Sequence, residues 1–380
     1  MTRPGTFESE GRPINLINSI NDPGWDKQIS GCPDASVFHT AGWTRVLIDT
    51  YGFQPLHLVF DGGSQPQAIL PLMEMRGILG SRRAVSLPFS DTCPPLVHPH
   101  PGSIRRQSDH SPRSGSDSCF LNEPVAQYEG LLQAGIDLAR ERRWRFIEFR
   151  LPGPGFPGKP AYCRYHGHGL DLTPPKDTLF DSFASATRRG IRKAEQSRLD
   201  LEVSRERAAL RHYYDLHCDT RKRQGVPPQS WRFFSAIHEH LLRHNQGFVV
   251  LARKNDRPVA GSVFLHFNGR AVYKFGASDF RFQHLRANNL VMWQGIRHCR
   301  NIGCRNLDFG RTDHENEGLR RFKQGWGTRE FPITYHRYST DRNEFLESTR
   351  KGPGWLNAVF RHVPVPLARL VGALLYRYAA

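Results

Sequence analysis

Two stretches of this 380-residue chain decide how it is built: Leu131 to Phe149, LLQAGIDLARERRWRFIEF, and Val291 to Phe309, VMWQGIRHCRNIGCRNLDF. They align without a gap at an offset of 160 (291 − 131). Gly135/Gly295, Ile136/Ile296, Arg140/Arg300, Arg145/Arg305 and Phe149/Phe309 are identical, and Glu148 stands opposite Asp308. Apolar or small residues recur in both at i, i+4, i+5 and i+8, the stripe of an amphipathic helix. A short basic turn then leads into a brief apolar strand. The chain makes one helix–strand unit twice.

The upstream segments match more loosely. YGFQPLHLVFDGGSQPQAILPLMEM (51–75) and QGFVVLARKNDRPVAGSVFLHFNGRAVYKF (246–275) each read as strand, tight turn and strand, a hairpin. Two α/β domains of similar design follow, at 30–175 and 176–340, between an N-terminal extension (1–29) and a C-terminal tail (341–380). The first copy carries an insertion whose part at about 98–122, rich in Pro, Ser and Arg, reads as an exposed, mobile loop.

Composition narrows the partners. With 53 Lys+Arg against 36 Asp+Glu the formal charge is +17, which favours anionic ligands: nucleic acid, an acidic membrane surface or a phosphorylated small molecule. The start of the chain lacks an apolar signal core, and no run of 18 apolar residues occurs, so a cytoplasmic protein is expected. The seven cysteines are scattered without a CxxC pair, which argues against a disulfide framework or structural zinc. Cys163, His166 and His168 lie close together in a glycine-rich stretch expected to be a loop, and no metal is assigned to them. The segment joining the halves, 177–204, is expected to put Phe180, Phe183, Ile191 and Leu199 on one helical side. Arg188, Arg189, Arg192 and Lys193 then form the other, either a solvated face or an anion-binding one.

Six blocks carry a family resemblance: FHTAGWTRVLIDTYGFQPLHLV (38–59), LPFSDTCPPLV (87–97), RRGIRKAE (188–195), YYDLHCDTRKRQGVP (213–227), YKFGASD (273–279) and NLDFGRTDHENEGLRRFKQGWG (306–327). In this order the chain resembles the FemAB-like acyltransferases, built from tandem domains of the GNAT (acetyltransferase) fold. The resemblance covers roughly 30–340. It implies mixed, mostly antiparallel sheets flanked by helices, and direct attack of an acceptor amine on a thioester or ester carbonyl. That chemistry needs proximity, a donor to the developing oxyanion and a route for the amine proton, not a nucleophilic triad. The implied donor is acyl-CoA or aminoacyl-tRNA, and the implied acceptor an amino group of a cell-envelope or polysaccharide precursor. One branch of the family is encoded with exopolysaccharide systems. The long helical arm common among the tRNA-dependent enzymes has no counterpart in this sequence.

The resemblance also assigns residues. Asp308, at the end of a strand where two arms of the fold diverge, is placed to orient or deprotonate the amine, with Tyr273 beside it. Its counterpart Glu148 leaves open that an acid simply caps this strand in both copies. Lys274, Arg311, Arg320 and Lys323 are candidates to hold phosphate or carboxylate; the charge runs add Arg188, Arg192 and Lys193, and Arg221, Arg223 and Gln224, which read equally as surface charge. Arg286, Asn288 and Asn289 precede a helix expected from about Leu290, where coenzyme A pyrophosphate would sit, Asn288 or Asn289 capping it. The glycines usual at that place are absent, and an ordinary capped helix is the plainer reading. Phe322 and Trp326 read as core anchors for the charged loop. The apolar and basic segment 355–378, divided by Pro364 and Pro366, suits either an interfacial helix on acidic lipid at the inner face of the membrane or a helix packed on the protein itself. A non-catalytic protein that binds RNA or a membrane surface is the alternative to the enzyme.

Overall fold

The computed structural model describes residues 6–9, 12–61, 66–77, 80–98, 125–347 and 360–379. The segment expected as a mobile insertion lies outside them but for its first residue, as do Trp355, Leu356 and Val359 of the tail.

The first half opens with β1 (Thr6–Ser9), β2 (Arg12–Ile17), α1 (Trp25–Ile29) and α2 (Ala41–Tyr51). Its hairpin is bent. β3 (Gln54–Pro55) runs on into β4 (His57–Asp61), and β5 (Pro66–Leu70) into β6 (Met73–Arg76). β7 (Arg82–Val85), β8 (Leu96–Val97), α3 (Val125–Glu141), β9 (Trp144–Pro152) and β10 (Cys163–Asp171) complete it. Cys163, His166 and His168 therefore lie on a strand and not on the expected loop: Gly167 lets Phe331 of a neighbouring strand pack across β10, a Cβ there falling 2.4 Å from its ring.

The second half begins with α4 (Lys176–Asp181) and α5 (Ser185–Gln196), two helices where the sequence reads as one, because the chain breaks at Ser182–Ala184. β11 (Asp200–Ser204), α6 (Arg207–Gln224) and α7 (Trp231–His240) lead to β12 (Gly247–Lys254), β13 (Arg257–Phe267) and β14 (Arg270–Ser278). Asn255 and Asp256, then Asn268 and Gly269, all have positive φ, the geometry of two-residue hairpin turns matched to strand twist. α8 (Ala287–Asn301), β15 (Asn306–Asp308), α9 (Glu317–Gln324), β16 (Arg329–Ser339) and β17 (Glu344–Leu346) follow, and α10 (Val365–Ala379) closes the chain.

α3 and α8 end at positions 160 apart and carry the repeated glycine at the same level. A Cβ on Gly295 would lie 2.1 Å from the Phe264 ring, and one on Gly135 3.2 Å from Leu70. The glycine is repeated because each helix presses that closely on its sheet.

Mostly antiparallel strands form two sheets among the described residues: β1-β2-β4-β5-β8, and a long one in the order β11-β12-β13-β14-β15-β10-β16-β9-β7-β6-β3, with β17 on β16. The halves exchange their last strands. β10 of the first half pairs with β15 of the second, β16 of the second with β9 of the first, and β10 and β16 lie antiparallel at the centre. In each half one parallel pair is made, β7 with β9 and β14 with β15, the latter limited to Arg270–Val272 against Asn306–Asp308. Beyond Val272 the two arms separate. One core packs α2, α6 and α7 on the sheet, a second packs α4, α5 and α8 with Trp326, and a third fills the first half under α3.

Candidate active site

The separation of β14 from β15 sets the site. β14 carries a bulge: Val263 pairs with Phe275 and Phe264 with Tyr273, leaving Lys274 as the extra residue. Lys274 reaches across to the first half, where Nζ donates to the Phe89 carbonyl at 2.5 Å and lies 5.1 Å from the Phe38 ring centroid. Phe89 and Leu87 both have positive φ, so the loop LPFSD turns sharply and presents Asp91 to the same place. On the other arm β15 ends at Asp308, and Gly310 turns the chain with φ +73°. The Gly310 N–H donates to Asp308 Oδ1 at 2.7 Å, and a Cβ on Gly310 would lie 2.6 Å from Asp91 Oδ2. Only glycine lets Asp91 stand there.

Three cations complete the cluster. Arg311 donates to the Tyr335 hydroxyl at 2.9 Å, lies over the Tyr165 ring and approaches Asp91 to 3.9 Å. Tyr335 in turn donates to the Asp91 carbonyl at 2.8 Å. Lys323, on α9, is buried and donates to the carbonyls of Gly310 and Arg311 at 2.7 and 2.9 Å. Lys274 is the third. Burial alone would raise the Asp91 carboxyl, but Lys274, Arg311 and Lys323 outweigh it and hold Asp91 below its ordinary value. Burial, with Asp91 beside it, pushes Asp308 up to about 6, against the Gly310 N–H bond. Burial likewise brings Lys323 down to about 8 in spite of Asp91 and Asp308.

The two acids at the repeated position meet different fates. Glu148 is buried between two arginines: Arg150 Nε lies 2.9 Å from Oε1, and Arg337 donates through Nε and Nη2 to Oε2 at 3.1 and 2.5 Å. Against burial these arginines hold it below the ordinary glutamate value. The offset of 160 carries Arg150 to Gly310. Arg337 lies opposite Glu148 in the ladder as Gly169 lies opposite Asp308. The second half thus has a glycine where each of the two arginines stands in the first. Asp308 keeps the carboxylate and loses both partners.

The other expected residues divide. Tyr273 is the neighbour of Lys274 on a strand and points to the opposite face, so it does not join the cluster: its ring packs near Phe264 and Phe309, its hydroxyl pairs with Ser262, and burial pushes it up to about 12. A Cβ on Gly276 would meet its hydroxyl, which is why glycine stands there. Arg320 is held by Glu330 through two bonds of 2.7 Å. Arg188 pairs with Asp181 and Arg192 lies over Phe180, while Lys193 is exposed on α5. Arg221 donates to the Tyr376 hydroxyl of α10, Arg223 to the Ser278 carbonyl, and Gln224 ends α6 exposed. α8 starts at Ala287, and its cap is Arg286, with φ +57° and no side-chain bond. The expected caps do other work: Asn288 donates to Ser278 Oγ, and Asn289 packs against Gly190. Asp91, missed in the sequence reading, lies inside a block quoted above, but no spacing or charge run marks it. No group of three metal-ligating side chains occurs among the described residues.

Comparison with known proteins agrees with this geometry. Residues 181–324 match the family described as acetyltransferase (GNAT) domain. No curated protein matches the chain. Among solved structures, FemX superposes with a TM-score of 0.63 at 12% identity, covering 84% of this chain and 96% of FemX. A conserved protein of unknown function from Bacteroides thetaiotaomicron gives 0.51 at 11% identity, covering 85% and 99%. A tandem GNAT protein from the clavulanic acid biosynthesis pathway gives 0.49 at 11%, covering 86% and 98%. The second half is thus similar in sequence to a GNAT acetyltransferase domain, and the chain as a whole shares its fold with FemX.

Proposed function

We propose that the second-half cleft moves an acyl group from acyl-CoA to the amino group of an anionic acceptor, a cell-envelope or polysaccharide precursor, with Asp308 as the base. The observation that carries this reading is the unequal treatment of Glu148 and Asp308. An acid that only closes a strand would keep its arginines. Among the described residues Asp308 has none at hydrogen-bonding distance, and a carboxyl near 6 is ionised at neutral pH yet basic enough to take a proton from an amine as it attacks. Asp91 is a positioning residue in this scheme: it keeps the Asp308 proton affinity high and Arg311 in place.

Among the described residues, β14 past Val272 has β13 on one side only, so its other edge would offer main-chain groups to an extended donor arm. Such a donor would run toward the start of α8, whose first N–H groups no side chain caps. Lys274 and Arg311, two cations against Asp91, suit a phosphate or carboxylate on the acceptor. Aminoacyl-tRNA is the second reading for the donor, favoured by the exposed cations Arg189, Arg192 and Lys193 on α5.

Thermal unfolding in the presence of acetyl-CoA, longer acyl-CoAs and free coenzyme A separates the donors. A ligand of the folded state at 100 times its dissociation constant adds about 2.7 kcal/mol. A saturable rise in melting temperature is the expected result. No rise with any of them overturns the coenzyme A reading in favour of charged tRNA.

A further inference from the structure

The last helix, α10, has two apolar faces. One is seated. Val365 and Tyr376 pack against the core under α6, Ala368 is buried, and Gly372 lies so close to Pro228 that a Cβ there would overlap its carbonyl. Polar bonds fix the seat: Arg369 pairs with Asp215 at 3.1 Å, Tyr376 donates to the Pro227 carbonyl at 3.0 Å, and Arg83 donates to the Tyr378 carbonyl. The other face is largely uncovered by the described residues. Leu367, Leu370, Leu374 and Leu375 are 51, 59, 61 and 42% exposed. At 100° per residue Leu367, Leu370 and Leu374 fall on one line, opposite the seated side, with Leu375 at its edge.

Unpaired cations border this stripe. Arg377 lines a cavity of about 420 Å³ together with Leu374, Tyr378, Ile48 and Arg232. It also lines the neighbouring hollow with Arg76. Arg76, Arg232 and Arg377 form no ion pair among the described residues, and Arg361 is exposed one turn before α10. A helix held to the protein by one side, showing leucines on the other and arginines beside them, has the layout of an interfacial element on anionic lipid. No described helix is long and apolar enough to cross a membrane. We propose that α10 docks the protein onto an anionic bilayer surface, the leucines entering the headgroup boundary and Arg232 and Arg377 contacting lipid phosphates.

This assignment does not depend on the acyl donor, but it connects to the cleft. The Tyr376 ring lies 6.0 Å from Phe89, whose carbonyl accepts from Lys274 and whose loop carries Asp91. The docked helix rests on the wall of the cleft, so an acceptor with a lipid tail would arrive on the correct side.

Flotation of the full chain with vesicles tests the proposal, using phosphatidylcholine alone and phosphatidylcholine with about one part in three of phosphatidylglycerol. The wild type should float with the anionic vesicles and stay in solution with the neutral ones. Leu370→Glu/Leu374→Glu should lose at least about tenfold in bound fraction, and Arg232→Ala/Arg377→Ala should weaken binding and flatten its salt dependence. Far-ultraviolet circular dichroism and the melting temperature report that the variants are folded. The proposal is overturned if the wild type stays in solution with both vesicles, or if the leucine variant floats unchanged. It is equally overturned if light scattering shows a wild-type dimer that Leu370→Glu/Leu374→Glu converts to monomers, since the stripe would then cover a second copy of the chain.

Discussion

Neutralising the two acids at the repeated position should move stability in opposite directions. Asp308 titrates at about 6 in the folded chain against an ordinary value of 3.8. A raised carboxyl works against folding once it ionises. The cost is absent below 3.8, grows between 3.8 and about 6, and is constant above. At about 1.4 kcal/mol per pH unit it comes to about 3 kcal/mol at pH 7 and about half of that at pH 5. Asp308→Asn removes the charge and keeps an oxygen to accept from the Gly310 N–H, so it should stabilise by up to about 3 kcal/mol at pH 7. Glu148 runs the other way. Its folded value lies below the ordinary 4.5, so its contribution is present above 4.5 and is lost as pH falls through the lower folded value. Glu148→Gln leaves Arg150 and Arg337 buried without a counter-charge, at a cost of about 3–5 kcal/mol. Urea unfolding of both variants and wild type at pH 5, 6, 7 and 8 measures both effects without any substrate. The reasoning fails if Asp308→Asn destabilises, if its gain at pH 5 equals that at pH 8, or if Glu148→Gln is neutral.

Other consequences follow for activity and assembly. With an acceptor in hand, kcat/KM should rise about tenfold per pH unit up to about 6 and then level, and Asp308→Asn should lose about 10²–10³ in rate while binding donor unchanged. Gly169→Arg should restore to Asp308 the partner that Glu148 has: a Cβ there meets nothing closer than Phe331 at 3.7 Å, so the variant should fold, shift the acid limb of the profile to lower pH and lose activity. Gly310→Ala puts a side chain at φ +73° and 2.6 Å from Asp91 Oδ2; it should cost more than about 1 kcal/mol in urea unfolding and displace Asp91 and Arg311 from the cleft. Residues 1–175 expressed alone should be insoluble or aggregate on size exclusion, because β9 and β10 would each lose β16, and co-expression with 176–380 should rescue them.

How much of this was legible depends on which interaction writes the pattern. The helix–strand repeat was readable because periodicity and a close-packed glycine are local demands, met at Gly135 and again at Gly295. The exchange of β10 and β16 was not, since a strand's pattern reports which face is buried and not whose edge it joins. Arg320 and Lys323 looked alike in sequence. One meets Glu330 across a turn, and the other is drawn under the loop by two carbonyls, a difference made by tertiary contact alone. Tyr273 and Lys274 part at the bulge, Tyr273 packing near Phe264 and Phe309 while Lys274 crosses to Phe89, and no sequence pattern announces that bulge. Asp91 left no trace either. Its position depends on Leu87 and Phe89 taking positive φ, a conformation that nothing but the packing of Phe89 on Tyr51, Phe233 and Tyr376 prescribes.

The duplication itself explains why one acid stands free to serve as the base we propose. In a fold whose halves close on each other's last strand, a charge at the end of the parallel pair lies near the centre of one continuous sheet and must be neutralised or used. The registers preserve the relation between the halves: Arg337 of β16 faces Glu148 as Gly169 of β10 faces Asp308, so Gly169 and Arg337 hold the same place. Under that relation the arginines around Glu148 and the glycines around Asp308 are the same places occupied differently. The first half spends its acid on holding the sheet together. The second opens the same position with Gly169 and Gly310, brings Asp91 across from its partner, and leaves a carboxyl whose proton is held near neutral pH at the mouth of the separating strands. Stability invested in one copy is what allows the other to keep an unpaired charge, and for that reason neutralising Glu148 should also reduce activity at Asp308, through the shared strand β16, without altering the pH at which the profile levels.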